Sequence, residues 1–414
     1  MRSGPEASAT AVVRIDRIAA GGAGIGRVDG MATFVPRTAP GDLVRVRLRR
    51  RKRFAEGSVL ELLEPGPQRV RPVCEHYTAD ACGGCQLQHL SADAQREAKH
   101  DVVQQALARI GRRDVPVEPV RPSPDSWRYR NKLTVTVRGH GSGRRGGLRR
   151  LNEPDAIFDL RTCHLVAIEV ERAWGEVRAA LAWLPPAEDL RVVIRCEDGV
   201  VSAVVKGGHH WPTRAAFEQQ CPTLRHIRHD GLAGPAAADE DDAVASLDAF
   251  AQVNTAMAHA MESHVLGILR EGDPRRVVDA YGGQGRLSGA LAAEGRSVTL
   301  IELDPEATRL ASERYPGVDV RTARVEDALR AALPADAVLL NPPRVGVDPA
   351  VCSILESAQP KPRRVVYVSC DPATLARDLG RMPSWRVDRV TPFDLFPQTA
   401  HIETVCVLSP EEPS

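Results

Sequence analysis

The segment RRVVYVSCDPATLARDL places Cys370 directly after a hydrophobic stretch and just before a helix start at Pro372. A thiol between the end of a buried strand and a helix N-terminus is expected to have its thiolate favoured by the helix dipole. An isolated cysteine is more often an inert core residue, and it is the strand–Ser–Cys–Asp–Pro–helix setting that argues for a nucleophile. Further on, FDLFPQTAHIETVCVLS puts Glu403 among apolar residues on an expected final strand. A carboxylate there, with no obvious cation partner, is expected to have a raised pKa and to act as a base. His401, two residues earlier, is read as helping to orient the loop.

A binding site for a nucleoside-bearing cofactor is expected next to this pair. RRVVDAYGGQGRLSGALA reads as strand, glycine turn and helix, with Gly282, Gly283 and Gly285 allowing close backbone approach to a ligand at the helix N-terminus. The pattern G-x-G-x-x-G is not met, because Leu287 and Ser288 stand where the third glycine is due, which argues against a pyrophosphate. The following strand, SVTLIEL, ends in Glu302, suited to ribose hydroxyls. Asp327 falls after a third strand-like stretch, either to meet an adenine amino group or simply to cap a helix. DAVLLN then leads into Asn341-Pro342-Pro343-Arg344, a rigid turn at a strand's carboxyl end, from which Asn341 can reach a planar substrate or the cofactor.

A thiolate and a base beside such a cofactor suit methylation at C5 of uracil. That carbon is a poor nucleophile until a thiolate adds to C6 and leaves an enolate. A base must afterwards remove the C5 proton. The nucleotide has to leave its stack to be reached.

A second group of chemically capable residues is Cys74, Cys82 and Cys85, spaced C-x7-C-x2-C, with Cys163 the next cysteine along. Gly83 and Gly84 between the last two of the trio permit a tight turn that aims sulfurs at one centre and backbone N–H groups at sulfur. Four thiolates fit a structural zinc or an iron–sulfur cluster equally well by spacing. Cys196, Cys221, Cys352 and Cys406 have no such pattern and read as small core residues.

The elements that must position these groups fall into three segments. Residues 1–65 read as a small β-barrel, with AVVRI, ATFV, LVRVRL and EGSVLELL as strands between glycine turns. In LVRVRL the apolar–basic alternation packs one face and presents Arg45, Arg47 and Arg49 on the other. A Pro-rich hinge (Pro65, Pro67, Pro72) leads to a mixed α+β region, 66–250, with strands KLTVTVR and LRVVIRC and an exposed tail, GLAGPAAADEDDAVAS. Residues 251–414 alternate strand and helix, implying an α/β domain on a mostly parallel sheet.

The formal charge of +1 over 414 residues hides an asymmetry. Residues 1–72 carry 14 Lys/Arg against 7 Asp/Glu, and residues 121–150 carry 9 against 1. Basic blocks on β-like patterns point to a polyanion, and to nucleic acid in particular. At 43% hydrophobic and 26% charged, the chain has core material for several domains, which excludes global disorder. Aromatic residues, at 4%, are too few for extensive base-stacking platforms. The N-terminal MRSGPEASAT lacks the apolar stretch of a secretory signal, and no apolar run reaches spanning length, so a cytoplasmic location away from membranes is expected.

Nearly the whole chain resembles the S-adenosylmethionine-dependent RNA (uracil-5-)-methyltransferases. GGAGIGRVDGMATFVPRTAPGDLVRVRL is similar to a TRAM domain, an OB-like RNA-binding barrel. RPVCEHYTADACGGCQLQHL resembles the family's cluster segment, while AQVN, DAYGGQG, NPPRVG, YVSCDPATLARDL and LFPQTAHIETV match its catalytic motifs. The resemblance implies a Rossmann-like class I methyltransferase domain, with Cys370 as nucleophile and Glu403 as base. It implies S-adenosyl-L-methionine held by Gln252, Tyr281, Gly283, Gly285, Glu302, Asp327 and Asn341. It also implies a [4Fe-4S] cluster, in preference to zinc, on Cys74, Cys82, Cys85 and Cys163. The chain departs from the pattern at Asn341, usually Asp, at Gly282, commonly Cys, and at Arg286, often a smaller residue. Its x7 cysteine gap also exceeds the usual five.

By analogy with members that combine the barrel and the cysteines, a monomer acting on 23S ribosomal RNA is expected ahead of one acting on transfer RNA. Two other readings compete. A radical methylthiotransferase would call for C-x3-C-x2-C, which is missing, and would leave Cys370 and Glu403 unexplained. A non-catalytic RNA-binding protein with a decayed site is supported only by Asn341.

Overall fold

The structure is a computed structural model that describes residues 9–231 and 252–411. From residue 232 on, the acidic stretch expected as an exposed tail lies outside the described residues.

Five strands, β1 (Thr10–Ile18), β2 (Ala23–Val28), β3 (Met31–Pro36), β4 (Leu43–Arg50) and β5 (Ala55–Glu64), close into a barrel in the order β1-β2-β3-β5-β4. Alternation on β4 buries Val44, Val46 and Leu48 and exposes Arg45, Arg47 and Arg49. Strand β2 is one that the sequence reading takes for a turn. Its glycines serve close approach: a Cβ on Gly24 would come within 2.1 Å of Thr38 Oγ1, and one on Gly26 within 2.1 Å of the Arg14 carbonyl. The Pro-rich stretch expected as a hinge is fastened to the barrel. Buried Asp42 accepts hydrogen bonds from Gly66 N at 2.7 Å and Arg69 Nε at 3.0 Å.

The cysteine segment follows, then the helix Ala92–Arg109, capped by Ser91. This helix packs against the helix Pro372–Leu379 of the C-terminal region. The central sheet has the order β12-β11-β10-β6-β7, from β6 (Lys132–Arg138), β7 (Arg145–Gly147), β10 (Asp189–Glu197), β11 (Val200–Lys206) and β12 (His226–Asp230). A ribbon, β8 (Arg149–Arg150) with β9 (Glu153–Ile157), lies beside the cysteine segment, where Gly83 N bonds to the Arg149 carbonyl at 3.0 Å. The apolar faces of β6 and β10 pack on the helix Ile168–Ala179 through fully buried Trp174.

The third sheet comprises β13 (Arg276–Ala280), β14 (Ser297–Glu302), β15 (Val318–Thr322), β16 (Ala337–Leu340), β17 (Arg364–Ser369), β18 (Trp385–Phe393) and β19 (Glu403–Pro410). Its order is β15-β14-β13-β16-β17-β19-β18. The first five run parallel, β19 is antiparallel to β17, and β18 is antiparallel to β19. Near-continuous Val/Ile/Leu runs such as AVLL on β16 suit strands covered on both faces. The strand order reverses between β13 and β16, the place where open α/β sheets bind ligands beyond their carboxyl ends. No helix among the described residues is long and apolar enough to cross a membrane.

Candidate active site

Five neighbouring strands deliver candidate residues to one edge of the third sheet. Glu302 ends β14, Tyr281 follows β13, Asn341 follows β16, Cys370 follows β17, and Glu403 begins antiparallel β19 at the same edge. At roughly 4.8 Å per strand, Glu302 and Cys370 stand about 14 Å apart across the sheet, room for a nucleoside cofactor between them.

Cys370 lies in a tight turn. Ser369 Oγ accepts from Asp371 N at 3.2 Å, and Asp371 Oδ1 caps the next helix through Thr374 N at 2.8 Å. The thiol pKa is raised, first by burial and then by the carboxylate of Glu403, with Arg344 acting in the opposite sense. This corrects the expectation of a thiolate favoured by the helix dipole: the resting group is the thiol, because desolvation and a like-signed neighbour outweigh the short helix. Glu403 is 6% exposed, and burial pushes its carboxyl up to about 8, again against Arg344. The raised carboxyl agrees with the sequence expectation. The absence of a cation does not, since Arg344 faces Cys370, Glu403 and His401 electrostatically. Arg344 is the residue that sequence reasoning passed over. Its signal was its place in NPPR, one turn beyond Asn341.

At the cofactor edge, Glu302 folds back on the glycine turn. Its Oε2 accepts from Gly283 N at 3.0 Å, and its Oε1 accepts from Leu303 N at 2.7 Å and Asp304 N at 2.9 Å. Gly283 has φ +55° with open space where a Cβ would point, and Gly285, at φ +75°, is the N-cap of the helix Arg286–Ala293. At Gly282 a Cβ would meet Leu300 Cγ at 2.8 Å. Tyr281 also holds a left-handed φ of 63°, fixed by its N–H on the Ile301 carbonyl at 2.8 Å. Asp279, unremarked in the sequence, is buried, accepts from Ser288 Oγ at 2.6 Å and is pushed up to about 6 by burial. It pins the helix after the glycine turn to β13.

Asn341 is exposed at the edge, its N–H on the Ala280 carbonyl at 3.2 Å. Gln252 lies two residues before Asn254, which reaches across to the Leu395 carbonyl at 3.1 Å. Asp327 does not cap its helix: Arg324 occupies the N-cap of Val325–Ala332, and Asp327 is exposed in the first turn. Its neighbour Glu326 is the residue whose charge reaches Tyr281.

Elsewhere, Cys74, Cys82, Cys85 and Cys163 line one cavity of about 320 Å³, with Arg130 and Lys132 in its wall. Gly84 N donates to Cys82 Sγ at 3.4 Å, the backbone-to-sulfur contact expected from the paired glycines. Burial pushes the Cys82 thiol up to about 11 and that of Cys85 to about 12, and the other cysteines of the set raise both further. Among the described residues no three His, Cys, Asp or Glu side chains are gathered so as to hold a metal ion.

A closed barrel ahead of a seven-stranded sheet with this switch point defines a class I methyltransferase fold joined to a TRAM domain. The family model for the TRAM domain matches residues 9–60, and that for tRNA (uracil-5-)-methyltransferase matches residues 308–411. The chain is 32% identical to an uncharacterised RNA methyltransferase of Thermosynechococcus vestitus, over 97% of this chain and 98% of the other. It is also 32% identical to one of a Nostoc species, over 94% and 93%. The crystal structure of the Pyrococcus abyssi tRNA (uracil-54, C5)-methyltransferase in complex with S-adenosyl-L-homocysteine superposes with a TM-score of 0.72. That match, at 23% identity, covers 96% of this chain and 99% of that one. The chain belongs to the RNA uracil-5-methyltransferase family and carries its TRAM domain.

Proposed function

We propose that this protein transfers a methyl group to C5 of a uridine in structured RNA, with 23S ribosomal RNA favoured over transfer RNA by family analogy. The observation that carries the reading is the side-by-side placement of Cys370 and Glu403 at the carboxyl edge of the sheet, the same edge that bears the Glu302–Gly283 turn three strands away. S-adenosyl-L-methionine, when bound, supplies the electrophilic methyl group. Glu302, Tyr281, Gly283, Gly285, Gln252, Asn341 and Asp327 are the residues assigned to hold it. The fit is supported by the open space at Gly283 and by the exposure of Asn341.

The Cys370 thiol gives up its proton to solvent, Sγ bonds to C6, and the electron pair of the C5=C6 bond moves into the enolate. After C5 has gained the methyl group, the Glu403 carboxylate takes the C5 proton. The Sγ–C6 bond then breaks, its leaving thiolate is released, and C5=C6 is restored. A carboxyl poised near 8 suits a base that must hold a proton and pass it on near neutral pH. The extruded uridine enters past Arg344.

The four cysteines line one cavity of about 320 Å³ with Arg130 and Lys132 in its wall, and we take it as the place of the [4Fe-4S] cluster, in preference to zinc, that the family resemblance implies. Cys74, Cys82, Cys85 and Cys163 would hold that cluster, which would cross-link the segment or help to place RNA.

A trap tests the function. The protein is mixed with S-adenosylmethionine and RNA carrying 5-fluorouridine, and a denaturant-stable adduct is sought. Fluorine at C5 cannot leave as a proton, so the covalent species persists. An adduct that disappears in Cys370→Ala supports the reading, and sequencing the trapped RNA names the target. No adduct, with S-adenosylmethionine binding intact, removes it.

A further inference from the structure

Between β18 and β19, residues 394–402 form the loop that delivers Glu403, and its hydrogen bonds to the cysteine-bearing front of the chain join positions more than 300 apart in sequence. Gln86 N and Leu87 N both donate to the Gln398 carbonyl, at 3.1 and 3.0 Å. Gln95 brackets the same residue: its Oε1 accepts from Gln398 N at 2.9 Å, and its Nε2 donates to Gln398 Oε1 at 3.0 Å. Gln86 Oε1 accepts from Ala400 N at 3.2 Å, and Tyr129 Oη donates to the Pro397 carbonyl at 3.0 Å. Gln95 and Gln398 are 3% and 6% exposed. Gln398 holds a φ of +68°, a conformation that side-chain-bearing residues adopt only when surroundings impose it.

The same front segment is built around the cysteines. Gln86 follows Cys85, and Tyr77 and Tyr129 pack with Cys74, Cys85 and Leu165 in one buried cluster. Tyr77 Oη donates to the Gln86 carbonyl at 3.1 Å. Cys370, by contrast, is fixed by β17 and by its own Ser369–Asp371 turn. Glu403 shares the β17–β19 ladder with Cys370, but the loop that leads into it is held by the front segment as well.

We infer that Gln95 and the Cys85–Leu87 turn are positioning elements for the catalytic base: they clamp Gln398 and thereby place the Glu403 carboxylate on the C5 proton, without setting the approach of Cys370 to C6. This rests on the uracil-C5 reading above. It assigns the clamp to the elimination half of the reaction, after the Sγ–C6 bond has formed and before it breaks.

The test separates the two halves in Gln95→Leu, Gln95→Glu and Gln398→Gly. The glycine variant removes the clamped side chain while tolerating the positive φ, so a folded protein is expected. With 5-fluorouridine RNA, all three should form the denaturant-stable adduct at a rate within about threefold of the wild-type protein. With unsubstituted RNA, Gln95→Leu and Gln398→Gly should release product at least tenfold more slowly while adduct accumulates, and Gln95→Glu, which keeps the acceptor for Gln398 N, should fall between. Release at the wild-type rate overturns the inference. So does an equal loss of adduct formation and release, the signature of a merely destabilised fold. Absence of adduct with the wild-type protein overturns the enzymatic reading itself, and the clamp with it.

Discussion

Cys370 and Glu403 stand at the next register position beyond the Ser369–Thr404 pair that closes the antiparallel ladder between β17 and β19. The proposed nucleophile leaves one strand where the proposed base begins its neighbour. Opposed positions in an antiparallel pair bring Cβ atoms within about 5.5 Å, so both groups can reach adjacent carbons of one planar ring. Replacing Cys370 by Ala should lower methyl transfer by at least about a thousandfold. S-adenosylmethionine affinity, measured calorimetrically, should stay within about twofold.

Proton removal by Glu403 requires the carboxylate, and the free group titrates near 8. Under single-turnover conditions with preformed adduct, product release should accelerate as pH rises from about 6.5 to 8.5 and then level off. Glu403→Gln should trap the adduct with ordinary RNA, slowing release by about 10²–10⁴-fold. A pH-independent release rate would contradict the assignment.

The same shift makes a stability prediction of defined sign. The folded-state pKa lies above the ordinary carboxylate value, so between about 4.5 and 8 the folded protein binds more protons at this site than the unfolded chain. This group's contribution to stability is therefore greatest below 4.5 and is lost as pH climbs through 8. Glu403→Gln removes that loss. Chemical denaturation at pH 8.5 should find the variant more stable than the wild-type protein by on the order of 3 kcal/mol, with the gap closing near pH 5.

Arg344 is the cation that holds down both pKa values at the centre. In Arg344→Gln the acidic limb of the pH–rate profile should move upward by about one unit. Activity lost at pH 7 should largely return at pH 9. A uniform loss at every pH would instead make Arg344 an RNA-binding residue.

Much of this arrangement was legible in the sequence because it is local. Strand, thiol and helix are contiguous around Cys370, and the glycine turn and Glu302 belong to consecutive strands. What escaped is what tertiary packing decides. Strand β2 was hidden because its glycines look like turn residues when their reason, the crowding at Thr38 and Arg14, lies elsewhere in the chain. The thiol's raised pKa depends first on burial and then on Glu403, 33 positions away, and no local dipole argument contains either. The alternative of a helix cap at Asp327 fails because the N-cap is Arg324, not a residue type that announces a cap.

The ion pair between Lys99 and Asp394 and the paired glutamines beside it join segments some 300 positions apart. The helix that carries Gln95 and Lys99 also enters the hydrophobic core of the seven-stranded sheet through Val103, Ala106 and Leu107. Front segment and sheet therefore bury their apolar faces together, and a chain rich in pairings of such separation folds slowly. Cutting the chain after this helix would strip part of the core beneath the sheet's carboxyl edge, not merely the barrel ahead of it.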